Sequence, residues 1–347
     1  MSRGLKILIG LVVALAALLA INTIIIDDQT KEAEVTVEGG QIISLPGGDL
    51  QVTDTGEPAG GAKGPPIVLL HCFACSLGWW DSMVEPLARE HRVIRIDLLG
   101  HGGSAKPGSG YAIADQGALV AGALDRLGAQ GAVVVGHSLG GAVAVSVAEQ
   151  ASELVDRVVI IDEAPDSGYG DSDFLASLTM TPVIGEAMWR VSIDAVVEKA
   201  YERAFAPGYE ISDGFADPDQ VVRDKEAMTY TAYDEIAAEE EHYTDEIPLD
   251  ERIQAVAVPL MVIFGSEDQS FDPTSSLAAY DDVPGARLET IEGAGHSPNV
   301  EKPRETARLI EEFAGSGVLE SKPPARGGGS NPDGRPRGEG RGQGGPG

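Results

Sequence analysis

Ser138 lies in the run Gly136-His137-Ser138-Leu139-Gly140, directly after the apolar stretch "AVVV" and before a helix-like segment of Gly, Ala and Val. This is a G-x-S-x-G pattern, whose small flanking residues let a chain turn so sharply from strand to helix that the hydroxyl stands clear of the sheet. A serine hydroxyl is a weak nucleophile at neutral pH and needs a base within hydrogen-bond reach, with a carboxylate to orient that base. Six histidines are available. His91, in "AREHRVIRI", is expected at an exposed helix end, and His242 sits in an acidic helical stretch. His71, His101 and His137 stand beside glycine-type turns and read as loop hydrogen-bonders. His296, in "IEGAGHSPNVEKP", follows the last predicted strand in a Gly-rich loop. Such a loop can present a side chain over the carboxyl edge of an open α/β sheet, where ligands are held. For the carboxylate, "VIFGSEDQSFDP" offers Asp268 in the loop after the preceding strand, with its neighbour Glu267 and the strand-end Asp162 as competitors. The chemistry of the set is acyl transfer: Ser138 as nucleophile, His296 as general base and Asp268 as the group that orients it.

A second constellation is "HCFACSLGWW", with His71, Cys72 and Cys75. A tetrahedral zinc site needs four ligands, and no fourth is evident nearby. A redox C-x-x-C would be expected to open a helix in a thioredoxin-like unit. Two cysteines in the whole chain make no disulfide framework, although outside the cytoplasm they could oxidise to each other.

The elements that must position these groups are apolar runs of strand length: "PIVLLH", "RVIRIDL", "AVVVGHS", "RVVIID", "PLMVIFG" and "RLETIEG". They alternate with helical stretches such as residues 141–155 and 303–314, which suits parallel strands buried on both faces of a sheet and hence an α/β domain. Before them, "EVTVEGGQIISL" and "DLQVTDTG" read as short β segments broken by Gly-Gly turns, an antiparallel edge. The alternation stops over residues 163–250, a block of amphipathic helical patterns expected to form an inserted cap. The core is therefore expected in two parts, residues 27–162 and 251–314, with a Gly/Pro/Arg-rich tail at 315–347 too poor in apolar residues to fold.

At the other end, residues 7–26 carry no charge. Twenty helical residues span about 30 Å, the thickness of a bilayer's hydrocarbon core. A cleaved secretory signal is the competitor, but its apolar region usually runs only about 7 to 15 residues. Residues 1–6 hold Arg3 and Lys6 while Asp27 and Asp28 follow the span, so the positive-inside rule puts the stub in the cytoplasm and the main domain outside. With 25 basic and 55 acidic residues in 347, the formal net charge of −30 argues against nucleic-acid partners and leaves the membrane to the N-terminal segment.

From residue 65 to 315 the sequence resembles the α/β-hydrolase superfamily. The likeness rests on "GHSLGG", "GSEDQ", "GAGHSPNVEKP", "LLHCFACSLGWWD" and "RIDLLGHGGSAKP", and on the chain order Ser138, Asp268, His296. It implies an eight-stranded, mostly parallel sheet with helices on both faces, a helical cap after strand six, and hydrolysis through an acyl-enzyme with no metal and no cofactor. It also implies an oxyanion hole from the backbone N–H groups of Leu139 and Phe73. One departure falls at Cys72, where the family usually has glycine; its Cβ restricts a φ that glycine reaches freely. Asp97, in "RIDLLGHG", reads as structural, because the related enzymes with an aspartate nucleophile carry it at the elbow, where Ser138 stands. Carboxylic-ester hydrolysis is the leading expectation, with carbon–carbon bond hydrolysis or cofactor-free perhydrolysis on the same triad, and a ligand-binding surface protein, as alternatives. Met180, Met188, Trp189 and Phe205 suggest an apolar acyl pocket or packing between cap and core.

Overall fold

The computed structural model describes residues 1–170, 185–186, 189 and 193–315. The polypeptide begins with helix α1 (Arg3–Thr30), whose segment Arg3–Asn22 is long and apolar enough to cross a membrane. The helix thus outlasts the uncharged run at both ends. Ser2 accepts from the Leu5 N–H at its start, and an Asp28–Lys31 pair lies one turn apart where the chain leaves it.

Eight strands form one sheet in the order β1-β2-β4-β3-β5-β6-β7-β8. The first pair, β1 (Gly40–Leu45) and β2 (Gly48–Asp54), is an antiparallel hairpin, and β2 runs antiparallel to β4 (Val93–Ile96). The residues from Glu34 to Glu38 do not extend that edge. They run beside it, with the Glu34 N–H donating to Gly103 and Thr36 to the Gln51 side chain. The rest is parallel: β3 (Ile67–Leu70) lies between β4 and β5 (Ala132–His137), followed by β6 (Val155–Ile161), β7 (Leu260–Gly265) and β8 (Arg287–Ile291). The sheet is the mostly parallel, eight-stranded one that the resemblance implied.

Strict alternation along the central strands builds two cores. Val68, Leu70, Val134, Val158, Ile160, Val262 and Phe264 face one side; Ile67, Leu69, Val133, Val135, Val159, Ile161, Met261 and Ile263 face the other. The first side is covered by α3 (Ile113–Leu127) and α4 (Leu139–Gln150), the second by α2 (Asp81–Leu87) and the C-terminal helix (Pro303–Gly315). Each fully buried Val, Leu or Ile contributes about 1.5–3 kcal/mol, so a strand without polar residues is stable only when both faces are covered. Helix α4 starts at Leu139 rather than at 141 and ends at Gln150, because the last residue of the helical pattern, Val155, already opens β6.

Between β6 and β7 the chain leaves the sheet and forms α5 (Asp194–Tyr201), α6 (Gln220–Glu226), α7 (Tyr230–Glu246) and α8 (Leu249–Val256). Helix α7 is tied to α4 by the Tyr243 hydroxyl, 2.6 Å from Glu149, and α6 to the loop after β3 by Trp79, whose Nε1 donates to Asp224 at 2.7 Å. After β7 come α9 (Pro273–Tyr280), a short helix α10 (Pro298–Glu301) and the C-terminal helix, α11. Met180 and Met188, and the tail beyond Gly315, lie outside the described residues.

Candidate active site

Sheet register assembles the site. His137 pairs with Ile161 across β5 and β6, and Ile161 with Ile263 across β6 and β7. The residues that follow each strand, Ser138, Asp162 and Glu163, and the Asp268 loop, therefore emerge side by side at the carboxyl edge of the sheet.

Ser138 occupies the turn itself, with φ 50 and ψ −124, and its N–H donates to Ile161 at 2.8 Å. A non-glycine residue there costs on the order of 1–3 kcal/mol, strain that clusters at functional positions. The flanking glycines are required by close approach. A Cβ at Gly136 would lie 1.9 Å from the Gly140 carbonyl oxygen, and one at Gly140 would lie 2.3 Å from the Leu70 carbonyl oxygen. The hydroxyl is held at the amino end of α4, where the helix dipole favours negative charge.

His296 and Asp268 meet, as their loops suggested: Nδ1 of the histidine lies 2.9 Å from Asp268 Oδ2. Asp268 also accepts from the Ser270 and Phe271 N–H groups at 2.6 and 3.3 Å. Burial pushes this carboxyl up, but His296 and the two amides outweigh it and hold it below the usual range. The backbone of His296 is fixed from beneath. His137 Nε2 donates to the His296 carbonyl at 2.6 Å, and burial pushes that imidazole down to about 3, so it stays neutral. Glu301 closes the loop by accepting from the Gly295 and Ala206 amides. Among the described residues no hydrogen bond joins Ser138 to His296; the serine hydroxyl instead lies near enough to the Glu163 carboxyl to favour its charged form.

Of the two competing carboxylates, Glu267 is exposed, whereas Asp162 is fully buried at φ 47. Its Oδ1 accepts from the Gly265 N–H at 2.8 Å, and its Oδ2 has no partner. Asp162, Asp268 and His296 have side-chain donor atoms within 4.8 Å of one another, but the Nδ1 of His296 is already committed to Asp268. Burial, and then the Asp268 charge, push Asp162 well above the usual carboxylate range. The pair therefore divides its roles: Asp268 is the histidine's hydrogen-bond partner, and Asp162 lies behind it with its protonated form favoured.

The loop after β3 carries the other expected donor. Neither Phe73 nor Leu139 donates its N–H to any group among the described residues. Cys72 and Cys75 are joined as a disulfide that brackets Phe73, with Cα atoms 5.3 Å apart. The conformational demand expected at Cys72 is absent there; the left-handed residue is Ala74, at φ 55. That turn is pinned by the Ala74 N–H to His101 Nε2 at 3.1 Å and by the Tyr201 hydroxyl on the Ala74 carbonyl. His71 donates from Nδ1 to the Cys72 carbonyl and accepts from the Leu98 N–H, so it is a loop brace. Asp97 is one too: it accepts from Leu77, Gln51 and Gly103 at 2.7, 2.6 and 2.8 Å. His91 departs from its expected exposure. It is buried with its ring against Gly64 and its Nδ1 2.8 Å from the Pro65 carbonyl, because the end of α2 is laid against the segment that leads into β3.

Aromatic rings surround the edge: Phe271 beside His296 at 5.7 Å, and Tyr233 between Phe73 and Trp189 at 5.0 and 4.4 Å. Phe205 does not join them. It is buried against Trp79 and Tyr209, at 5.7 and 5.2 Å, and packs the α5–α6 region onto the core. Glu163 and the half-buried Glu240 of α7 were not singled out from the sequence. Only the position of Glu163, at the carboxyl end of a buried parallel strand, signalled it there.

Comparison with known proteins agrees with this fold. The alpha/beta hydrolase fold family matches residues 65–303. An uncharacterized protein of Mycobacterium tuberculosis is 28% identical over 259 residues, 72% of this chain and 75% of its own length. The 2-hydroxymuconate semialdehyde hydrolase of Pseudomonas putida is 28% identical over 238 residues, 65% of this chain and 78% of its own. Among solved structures, the enol-lactonase of Burkholderia xenovorans LB400 superimposes with a TM-score of 0.64 at 23% identity, covering 79% of this chain and 99% of that one.

Proposed function

The chain belongs to the alpha/beta hydrolase fold family, a hydrolase fold, and from that premise we propose that it is a serine hydrolase that cleaves carboxylic esters through an acyl-enzyme. Ser138 attacks the ester carbonyl while His296 Nε2 takes its proton. The imidazolium, stabilised by Asp268, returns that proton to the departing alcohol. Water then attacks the acyl-enzyme with His296 again as base, releasing the carboxylic acid and restoring the serine. The N–H groups of Leu139 and Phe73 receive the oxyanion, and each such donor is typically worth about 10²–10³ in rate. No metal or cofactor takes part in this scheme.

The observation that carries the reading is the His296–Asp268 hydrogen bond of 2.9 Å at the same sheet edge as a serine held at φ 50. The two free amides support the oxyanion assignment. The substrate is a small acyl compound with an apolar part, which the rings of Phe271, Phe73, Tyr233 and Trp189 favour. Residues 163–250 are read as a cap over that edge. Carbon–carbon bond hydrolysis on the same triad is the second reading, favoured by the likeness to the Pseudomonas putida hydrolase.

The site is read as facing outward on a single membrane anchor. Helix α1, with Arg3 and Lys6 before the apolar stretch and Asp27 and Asp28 after it, supports that orientation, as does a disulfide beside the site. A panel of p-nitrophenyl esters of increasing acyl length, assayed against a β-diketone substrate, separates the two chemistries. Turnover of the diketone but of no ester would overturn the first.

A further inference from the structure

We propose that the Glu163 carboxyl, with Glu240 of α7 facing it, forms a subsite beside Ser138 for a positively charged nitrogen carried by the ester substrate. The proposal rests on the serine hydrolase reading and names the substrate class for the same site.

Glu163 is 4% exposed, and its Oε2 is a buried oxygen with no hydrogen-bond partner among the described residues. Buried carboxylate oxygens are ordinarily satisfied, so an orphan beside a nucleophile asks for a donor or a cation that arrives from outside. The side chain is anchored at its base. Its Cβ and Cγ pack on the first turn of α4, where a Cβ at Gly141 would lie 3.2 and 3.5 Å from them, and its own carbonyl accepts from the Tyr280 hydroxyl. The Ser138 hydroxyl acts on this carboxyl, and Glu163 follows β6 beside the end of β5, so whatever it binds lies close to the reacting centre.

Glu240 comes from the excursion between β6 and β7, close enough for its charge to act on Glu163 and on His296. Two carboxyls near one another in a half-dry site repel, and burial pushes both up, Glu240 to about 7. Asp268, hydrogen-bonded to His296, also faces the pair, and its charge adds to the repulsion on Glu163. A bound monocation would relieve the repulsion, set positive charge against the orphan oxygen and find the Tyr233 and Phe73 rings nearby for cation–π contact. The net charge of −30 would steer such substrates inward.

The test uses the full chain in a non-ionic detergent near pH 8, where Glu240 is ionised. The substrates are butyrylcholine and its uncharged carbon isostere, 3,3-dimethylbutyl butyrate, followed by acid release. The expected kcat/KM ratio favours butyrylcholine by about tenfold or more, the size of one partly desolvated cation–π and ion-pair contact. In Glu163→Gln and Glu240→Gln that ratio falls at least about fivefold. A purely structural role would lower both esters alike and leave the ratio where it was, which would overturn the proposal. So would a wild-type ratio near one. Because a Glu163 variant can fail to fold, inhibition of the wild type supplies a second arm: choline should inhibit hydrolysis of the uncharged ester at about a tenth of the concentration that 3,3-dimethylbutanol requires, and equal inhibition overturns the subsite. If the wild type is labelled by a fluorophosphonate and cleaves the uncharged ester without preferring the cation, the subsite alone is refuted. Absence of both labelling and turnover refutes the hydrolase reading with it.

Discussion

Asp224 gives the most quantitative prediction. It lies on α6, is 3% exposed, and accepts from Trp79 Nε1 and Gln220 Nε2, each at 2.7 Å. Burial nevertheless outweighs the bonds from Ser76, Trp79 and Gln220 and pushes the carboxyl from 3.8 to about 7. A folded-state value raised above the unfolded one means that the native state holds the proton more tightly. The stability this contributes is complete below about 3.8 and lost as pH rises through about 7. A gap of about three units, at 1.36 kcal/mol per unit, is worth about 4 kcal/mol in all, of which about 2.5 falls between pH ~5 and pH ~8. Asn accepts from the same indole but cannot ionise, so Asp224→Asn should lack this slope. The assay is thermal unfolding of both proteins in the same detergent across that pH range, read by tryptophan fluorescence. The wild-type Tm should fall relative to the variant by about 4 °C from pH ~5 to pH ~8. Parallel curves, or a wild type that gains on the variant as pH rises, would refute the claim that desolvation governs this carboxyl.

Other outcomes follow from the same geometry. Gly140→Ala puts a methyl 2.3 Å from the Leu70 carbonyl oxygen, so urea unfolding should show a loss of about 1–3 kcal/mol or more, with reduced ester turnover. His137→Phe removes the 2.6 Å bond to the His296 carbonyl while keeping a ring between Trp79 and Trp80. It should lower kcat by about 10- to 100-fold with KM little changed, since misplacement of the base is felt in the chemical step. Reducing Cys72–Cys75 frees the loop that carries the Phe73 amide. Dithiothreitol should lower kcat by about tenfold while moving Tm only slightly, because a ring this short constrains the unfolded chain little.

How much of this could be read beforehand varied with the range of the interactions involved. The strands β3 to β7 are apolar runs whose alternate residues enter opposite cores, a pattern local enough to see in the sequence. The loops of Ser138, Asp268 and His296 follow from where those strands end. What escaped depends on partners far along the chain. His91 was misjudged because its burial is made by Gly64 and Pro65 on another element. The demand for a left-handed residue fell on Ala74 instead of Cys72 because His101 and Tyr201 pin that turn from distant loops. Asp162 and Glu163 follow one another in sequence, yet one braces Asp268 and the other faces Ser138, a division set by the register of β6 against its two neighbours.

The central claim is that Ser138 is the nucleophile oriented by this sheet edge. The full chain and Ser138→Ala should be treated in parallel with a fluorophosphonate probe and a p-nitrophenyl ester, and the labelled peptide identified by mass spectrometry. The account predicts one labelled site, at Ser138, and loss of both labelling and turnover in the alanine variant. Labelling or turnover that survives in Ser138→Ala would contradict it.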